Sequence, residues 1–123
     1  MRNAEQKITD LKIRSKQFAL RVIRLYSSLP KSGAADVVGK QLVRCGTSVG
    51  AQYREATRAR SVAEFISKME SASQELAETE YWMEILVEAG FVKAERLQEL
   101  LAETDELTAI FVASVNTAKR GRK

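Results

Sequence analysis

A single proline, Pro30, and only six glycines punctuate this 123-residue chain. So few breakers cannot supply the turns of a many-stranded sheet, and long helices are the alternative. Apolar residues make up 45% of the chain, enough for one core without metals or disulfides. The expected fold class is all-α: an antiparallel up-down four-helix bundle over residues 1–118 with a short basic tail, residues 119–123.

The first helix is expected from about Thr9 to Ser28, with Thr9 as N-cap and Asp10 in the first turn, where the helix dipole favours negative charge. Ile8, Leu11, Ser15, Phe18, Val22, Leu25 and Leu29 follow one another at steps of three and four, the spacing of one helix face. Leu20, Ile23 and Tyr26 widen that stripe. Leu29-Pro30 and Gly33 then end the helix.

The second helix is expected from about Ala35 to Arg58, with Val38, Leu42, Cys45, Val49, Tyr53 and Ala56 inward. Gly46 and Gly50, four apart among small neighbours, predict another helix in close approach. Ser61-Val62-Ala63-Glu64 reads as a capping box opening the third helix. That helix carries Val62, Phe65, Ile66, Met69, Ala72, Leu76, Met83 and Leu86, and Gly90-Phe91 reads as its C-terminal signal. The fourth spans about Lys93 to Lys119, its stripe being Leu97, Leu100 or Leu101, Thr104, Leu107, Ile110 or Phe111, and Ser114.

Charge is segregated along the chain. Residues 1–60 hold 13 Lys/Arg and 4 Asp/Glu, a net +9, whereas residues 61–118 hold 3 and 12, a net −9. Such asymmetry points to partners, either nucleic acid or further copies of the chain. The lone Cys45 fits a reducing cytoplasm, which is the expected compartment. No segment reads as a signal peptide or a membrane span, so no membrane partner is expected.

Chemistry is poorly supplied. Histidine is absent, which removes the commonest general base and metal ligand. Cys45 lacks an imidazole partner, and Glu75 with Glu78 lacks the histidine that di-iron bundles use. The chain therefore reads as no enzyme, with no cofactor and no metal. Tyr81 and Trp82 are weighed as a stacking platform for bases, against a place for Trp82 in the core or a subunit interface.

The sequence from Gln41 through Cys45-Gly46-Thr47-Ser48-Val49-Gly50 to Ala56, with Glu64-Phe65-Ile66-Ser67-Lys68-Met69 and Glu75-Leu76-Ala77-Glu78-Thr79-Glu80-Tyr81-Trp82, resembles the four-helix-bundle family that includes the 23S rRNA intervening-sequence proteins. The specific part covers roughly residues 38 to 90. The family usually has Asn where this chain has Gln52. The resemblance implies a homopentamer of bundles and a function that is itself poorly defined. A related group of basic pentamers assists the reverse transcriptases of diversity-generating retroelements, so RNA or DNA is an expected partner by analogy.

The residues expected to meet nucleic acid are Arg44, Arg54, Arg58, Arg60 and Lys68. Arg54 and Arg58, four apart, share a helix face, and guanidinium groups grip phosphate bidentately. The competing expectation is that Glu55, Glu64, Glu75 and Glu78 answer these charges within the fold. The leading reading is an oligomeric nucleic-acid-associated accessory protein. The alternative is a scaffold homo-oligomer that binds a protein partner and no nucleic acid.

Overall fold

The computed structural model describes residues 3–121, all in helices or the links between them. Four helices follow in order: α1 (Ala4–Ser27), α2 (Gly33–Thr57), α3 (Val62–Glu88) and α4 (Ala94–Gly121). Each packs mainly on its neighbours in sequence, α1 on α2, α2 on α3 and α3 on α4, while α1 and α4 touch sparingly. The result is an all-α bundle with no strand among the described residues.

α1 begins five residues before the expected Thr9. Asn3 is its cap: the Asn3 side chain accepts the Gln6 backbone N–H at 2.9 Å, and the Gln6 side chain accepts the Asn3 N–H at 3.0 Å. That reciprocal box satisfies two orphan amides and outcompetes Thr9, whose hydroxyl instead donates to the Glu5 carbonyl inside the helix. Gly33 takes φ of +63° at the entry to α2, the left-handed conformation the Pro30–Gly33 link requires.

The start of α3 is the expected one with a twist. The Ser61 hydroxyl accepts the Glu64 N–H at 3.1 Å, but the Glu64 carboxylate accepts from the Arg60 N–H at 3.3 Å, one residue outside the reciprocal box. At the other end, Gly90 has φ of +83° and its N–H bonds the Val87 carbonyl, while the Phe91 N–H reaches Leu86. This is the Schellman pattern.

Inward positions follow the sequence stripes. Phe18, Val22, Leu42, Val49, Met69, Leu76, Met83, Leu107 and Phe111 are fully buried. Two alternatives left open on α4 resolve to Leu100 and Phe111, and Val115 is buried where Ser114 had been expected. Ser15, Thr79 and Thr104 are buried too, and each hydroxyl donates to a carbonyl of the preceding helical turn. The expected close approach to Gly46 and Gly50 comes from α1: Cβ atoms added there would meet Val22 at 2.9 Å and Ser15 at 3.1 Å. Gly39 belongs to the same seam, facing the Tyr26 ring.

α4 continues through Lys119 and Arg120 to Gly121, so part of the basic tail is helical; Arg122 and Lys123 lie outside the described residues. No helix among the described residues is long and apolar enough to cross a membrane.

Candidate nucleic-acid interface

The five basic residues singled out in the sequence fall into two groups. Arg44 and Lys68 are answered across the α2–α3 seam. Arg44 projects its guanidinium onto Glu75, at 3.5 Å, and onto Glu78. Lys68 reaches Glu55 at 2.8 Å, and its ammonium is held above the usual lysine range by that hydrogen bond. The two acidic residues weighed as a metal pair thus hold an arginine. No group of three or more acidic, cysteine or histidine side chains is arranged so that it could hold a metal ion among the described residues.

Arg54, Arg58 and Arg60 form the second group. All three are exposed, and none has an ion-pair partner among the described residues. They sit at the C-terminal end of α2 and in the link to α3. Arg54 and Arg58 there also complement the negative end of the helix dipole. That contribution needs no bound partner, but it leaves the outer N–H groups of each guanidinium free for phosphate. Lys119, at the end of α4, pairs with Glu70 at 3.3 Å, and Arg120 donates to the Thr117 hydroxyl.

α1 carries further cations, distributed around the helix. Lys7, Lys12, Lys16, Arg21 and Arg24 have no ion-pair partner among the described residues. Arg21 and Arg24 join Arg96 of α4 along a groove of about 280 Å³ whose one acid is Glu99. Arg96 is steadied by its bond to the Ser28 hydroxyl at 2.6 Å. This three-arginine groove was missed in the sequence. The three-residue spacing of Arg21 and Arg24 was readable, but Arg96 joins them only through the packing of α1 beside α4.

The opposite electrostatic pole is on α3 and α4. The Glu80 carboxyl is held above the usual carboxylate range by partial burial and by the neighbouring charges of Asp105 and Glu84. That face repels phosphate.

The remaining candidates have structural employment. Cys45 is fully buried, donates to the Leu42 carbonyl and lies with its sulfur 3.2 Å from the Thr79 hydroxyl oxygen. Burial pushes its thiol up, away from the nucleophilic thiolate. Trp82 is half-buried against the core, with its ring N–H directed at Glu78 at 3.3 Å. Tyr81, 52% exposed and edge-on to Trp82, is the one aromatic of the pair open to stacking. The Gln52 side-chain carbonyl is buried without a partner among the described residues.

Comparison with known proteins agrees with this architecture. The family model described as 23S rRNA-intervening sequence protein matches residues 9–113. Among solved structures, a crystal structure of a protein with unknown function from the S23 ribosomal protein family, from Bacteroides thetaiotaomicron VPI-5482, is similar: 33% identity, 89% of this chain and 98% of that one covered, TM-score 0.81. No curated protein matches the chain.

Proposed function

The chain belongs to the 23S rRNA-intervening sequence protein family, and on that premise we propose that it is a non-enzymatic, oligomeric accessory protein that grips the backbone of RNA or DNA. The observation that carries this reading is the set of unanswered cations Arg54, Arg58 and Arg60 at the α2–α3 end of the bundle. Acidic side chains are plentiful in the molecule but sit mainly on α3 and α4. A fold that needed its cations only for internal pairing would treat these as it treats Arg44 and Lys68.

The assembled form belongs to the same proposal. Contacts run in opposed order along α1–α2 (Ser15 to Gly50, Val22 to Gly46) and along α2–α3 (Arg44 to Glu75, Glu55 to Lys68), which supports an antiparallel up-down arrangement. Ile13, Leu20 and Ile23 are 40–51% exposed on α1 and supply apolar surface for subunit contact. We place the protein in the cytoplasm, as a ring of identical bundles, most simply the pentamer that the family resemblance implies. Repetition of one weak basic patch around a ring strengthens binding, because every contact after the first is intramolecular.

The test is a titration of labelled rRNA fragments and duplex DNA across salt concentrations. Binding is expected to be sequence-tolerant, with log K falling by about 0.9 per neutralised duplex phosphate against log salt. Replacing Arg54, Arg58 and Arg60 together by Gln flattens the slope, and so does replacing Arg21, Arg24 and Arg96. Arg44→Gln, whose charge is already answered, leaves it unchanged. A parent protein that binds neither nucleic acid at low salt sinks the reading in favour of a scaffold that binds protein.

A further inference from the structure

We propose that the end of the bundle formed by the α2–α3 link is a binding site for a single-chain amphiphile with an anionic head, of the class of long-chain carboxylates. All four helices contribute to a cavity there of about 740 Å³. That lies within the roughly 300–1,000 Å³ typical of small-molecule sites. Its walls are mostly apolar: Leu11 of α1, Ala56 of α2, Phe65 and Met69 of α3, and Ala118 of α4. At the mouth, Ile8 and Val62 leave 38% and 46% of their surface in water, apolar area that an alkyl chain would cover.

Three polar groups of this cavity are unemployed. Tyr53 lines it while only 3% exposed, its ring stacked 5.5 Å from that of Phe111. Its hydroxyl makes no hydrogen bond among the described residues and stays accessible from the cavity rather than sealed in the core. Burial alone raises its pKa, so the group is a neutral donor. Lys7 and Arg60 are the cations of the lining, and neither is ion-paired among the described residues. The other hydroxyls are occupied: Thr57 donates to the Arg54 carbonyl, Ser61 caps α3, and Ser114 donates to Ile110.

A mostly apolar open cavity, one phenol donor accessible from it and two cations without ion-pair partners match a ligand with an alkyl body and a compact negative head. A nucleic-acid strand would bring charge and sugar to walls that offer them little. This site is thus separate from the proposed phosphate surface, although Arg60 stands at the border of both.

The experiment is calorimetric titration of the full-length protein with dodecanoate below its micelle concentration, beside decanoate, 1-dodecanol and dodecyltrimethylammonium. Dodecanoate is expected to bind, and each methylene to tighten binding about fourfold. Arg60→Gln weakens dodecanoate severalfold and leaves 1-dodecanol unaffected. Tyr53→Phe weakens dodecanoate without lowering the melting temperature, because the hydroxyl has no intramolecular bond to lose. No binding by the parent overturns the proposal. So does equal affinity for the cationic amphiphile, or unchanged binding in both variants. Loss of nucleic-acid binding in Arg60→Gln with dodecanoate affinity intact would assign Arg60 to the phosphate surface alone and overturn its part in this site.

Discussion

At Gly46 a single methyl group decides between two opposing effects. A Cβ there would sit 2.9 Å from both methyls of Val22, a fully buried and rotationally stiff side chain. Alanine would gain about 1 kcal/mol of helix propensity but must displace Val22, at a cost of about 1–3 kcal/mol. Gly46→Ala is therefore expected to lower stability by about 1 kcal/mol, read as a reduced urea midpoint with unchanged slope. Gly50 has slightly more room, 3.1 Å to the Ser15 hydroxyl, so overpacking there is better tested by Gly50→Leu, which should melt below the parent. The small residues in mid-α2 were legible as a crossing. Gly39 was not, because it falls outside that cluster and its role depends on where the Tyr26 ring lands.

Glu80 gives a residue-scale expectation with a sign. Its pKa is raised in the folded state, so folding favours the protonated form, and the ionised carboxylate destabilises the fold above the ordinary carboxylate range. Glu80→Gln should melt higher than the parent at neutral pH. The gap should close as pH falls to about 4. Thermal scans across that range check it, and a constant gap would assign the effect to packing.

Between elements, the α1–α4 contact is the thin one, and it is bridged by a fork. Arg14 Nε donates to Glu103 Oε2 at 2.8 Å and Nη2 to Oε1 at 2.6 Å, with Glu106 at 3.4 Å. The Glu103 side chain is 14% exposed, so removing its partner strands a mostly buried charge. Arg14→Ala is expected to cost about 1–3 kcal/mol, and amide hydrogen exchange should quicken in α1 ahead of α2. Uniform exchange would mean that α2 alone anchors α1. The helices themselves were legible because stripe spacing, Pro30, the Ser61 cap and Gly90 each state a boundary locally. The start of α1 was misplaced because two polar residues compete for the cap, and the winner is set by Gln6 closing the box on Asn3.

For the whole molecule, the apolar side chains exposed on α1 set the expected assembly. Light scattering should give a mass several times the 13.7 kDa of the chain, fivefold for a pentamer. Replacing Ile13, Leu20 and Ile23 by Gln together should release folded monomers, and a monomeric parent would remove the ring from the proposal. Legibility of the interface was partial for a physical reason. Segregated charge can be read along a chain, but whether an arginine is spent or free depends on which acid faces it. Glu75 and Glu78 meet Arg44 only because α2 and α3 pair in one register, and no residue near Arg54 announces that it will be left alone.

The same neighbour-by-neighbour packing bears on how quickly the molecule is made. Each helix finds its main partner in the segment just before or after it, so productive encounters close short stretches of chain rather than joining distant ones. Low contact order of this kind places folding in the microsecond-to-millisecond class of helical bundles. Each hairpin of helices can dock as it forms, and the sparse α1–α4 seam is the step left for last. A newly made chain would therefore bury its core rapidly while still dilute, leaving assembly with other copies as the slower, concentration-dependent event.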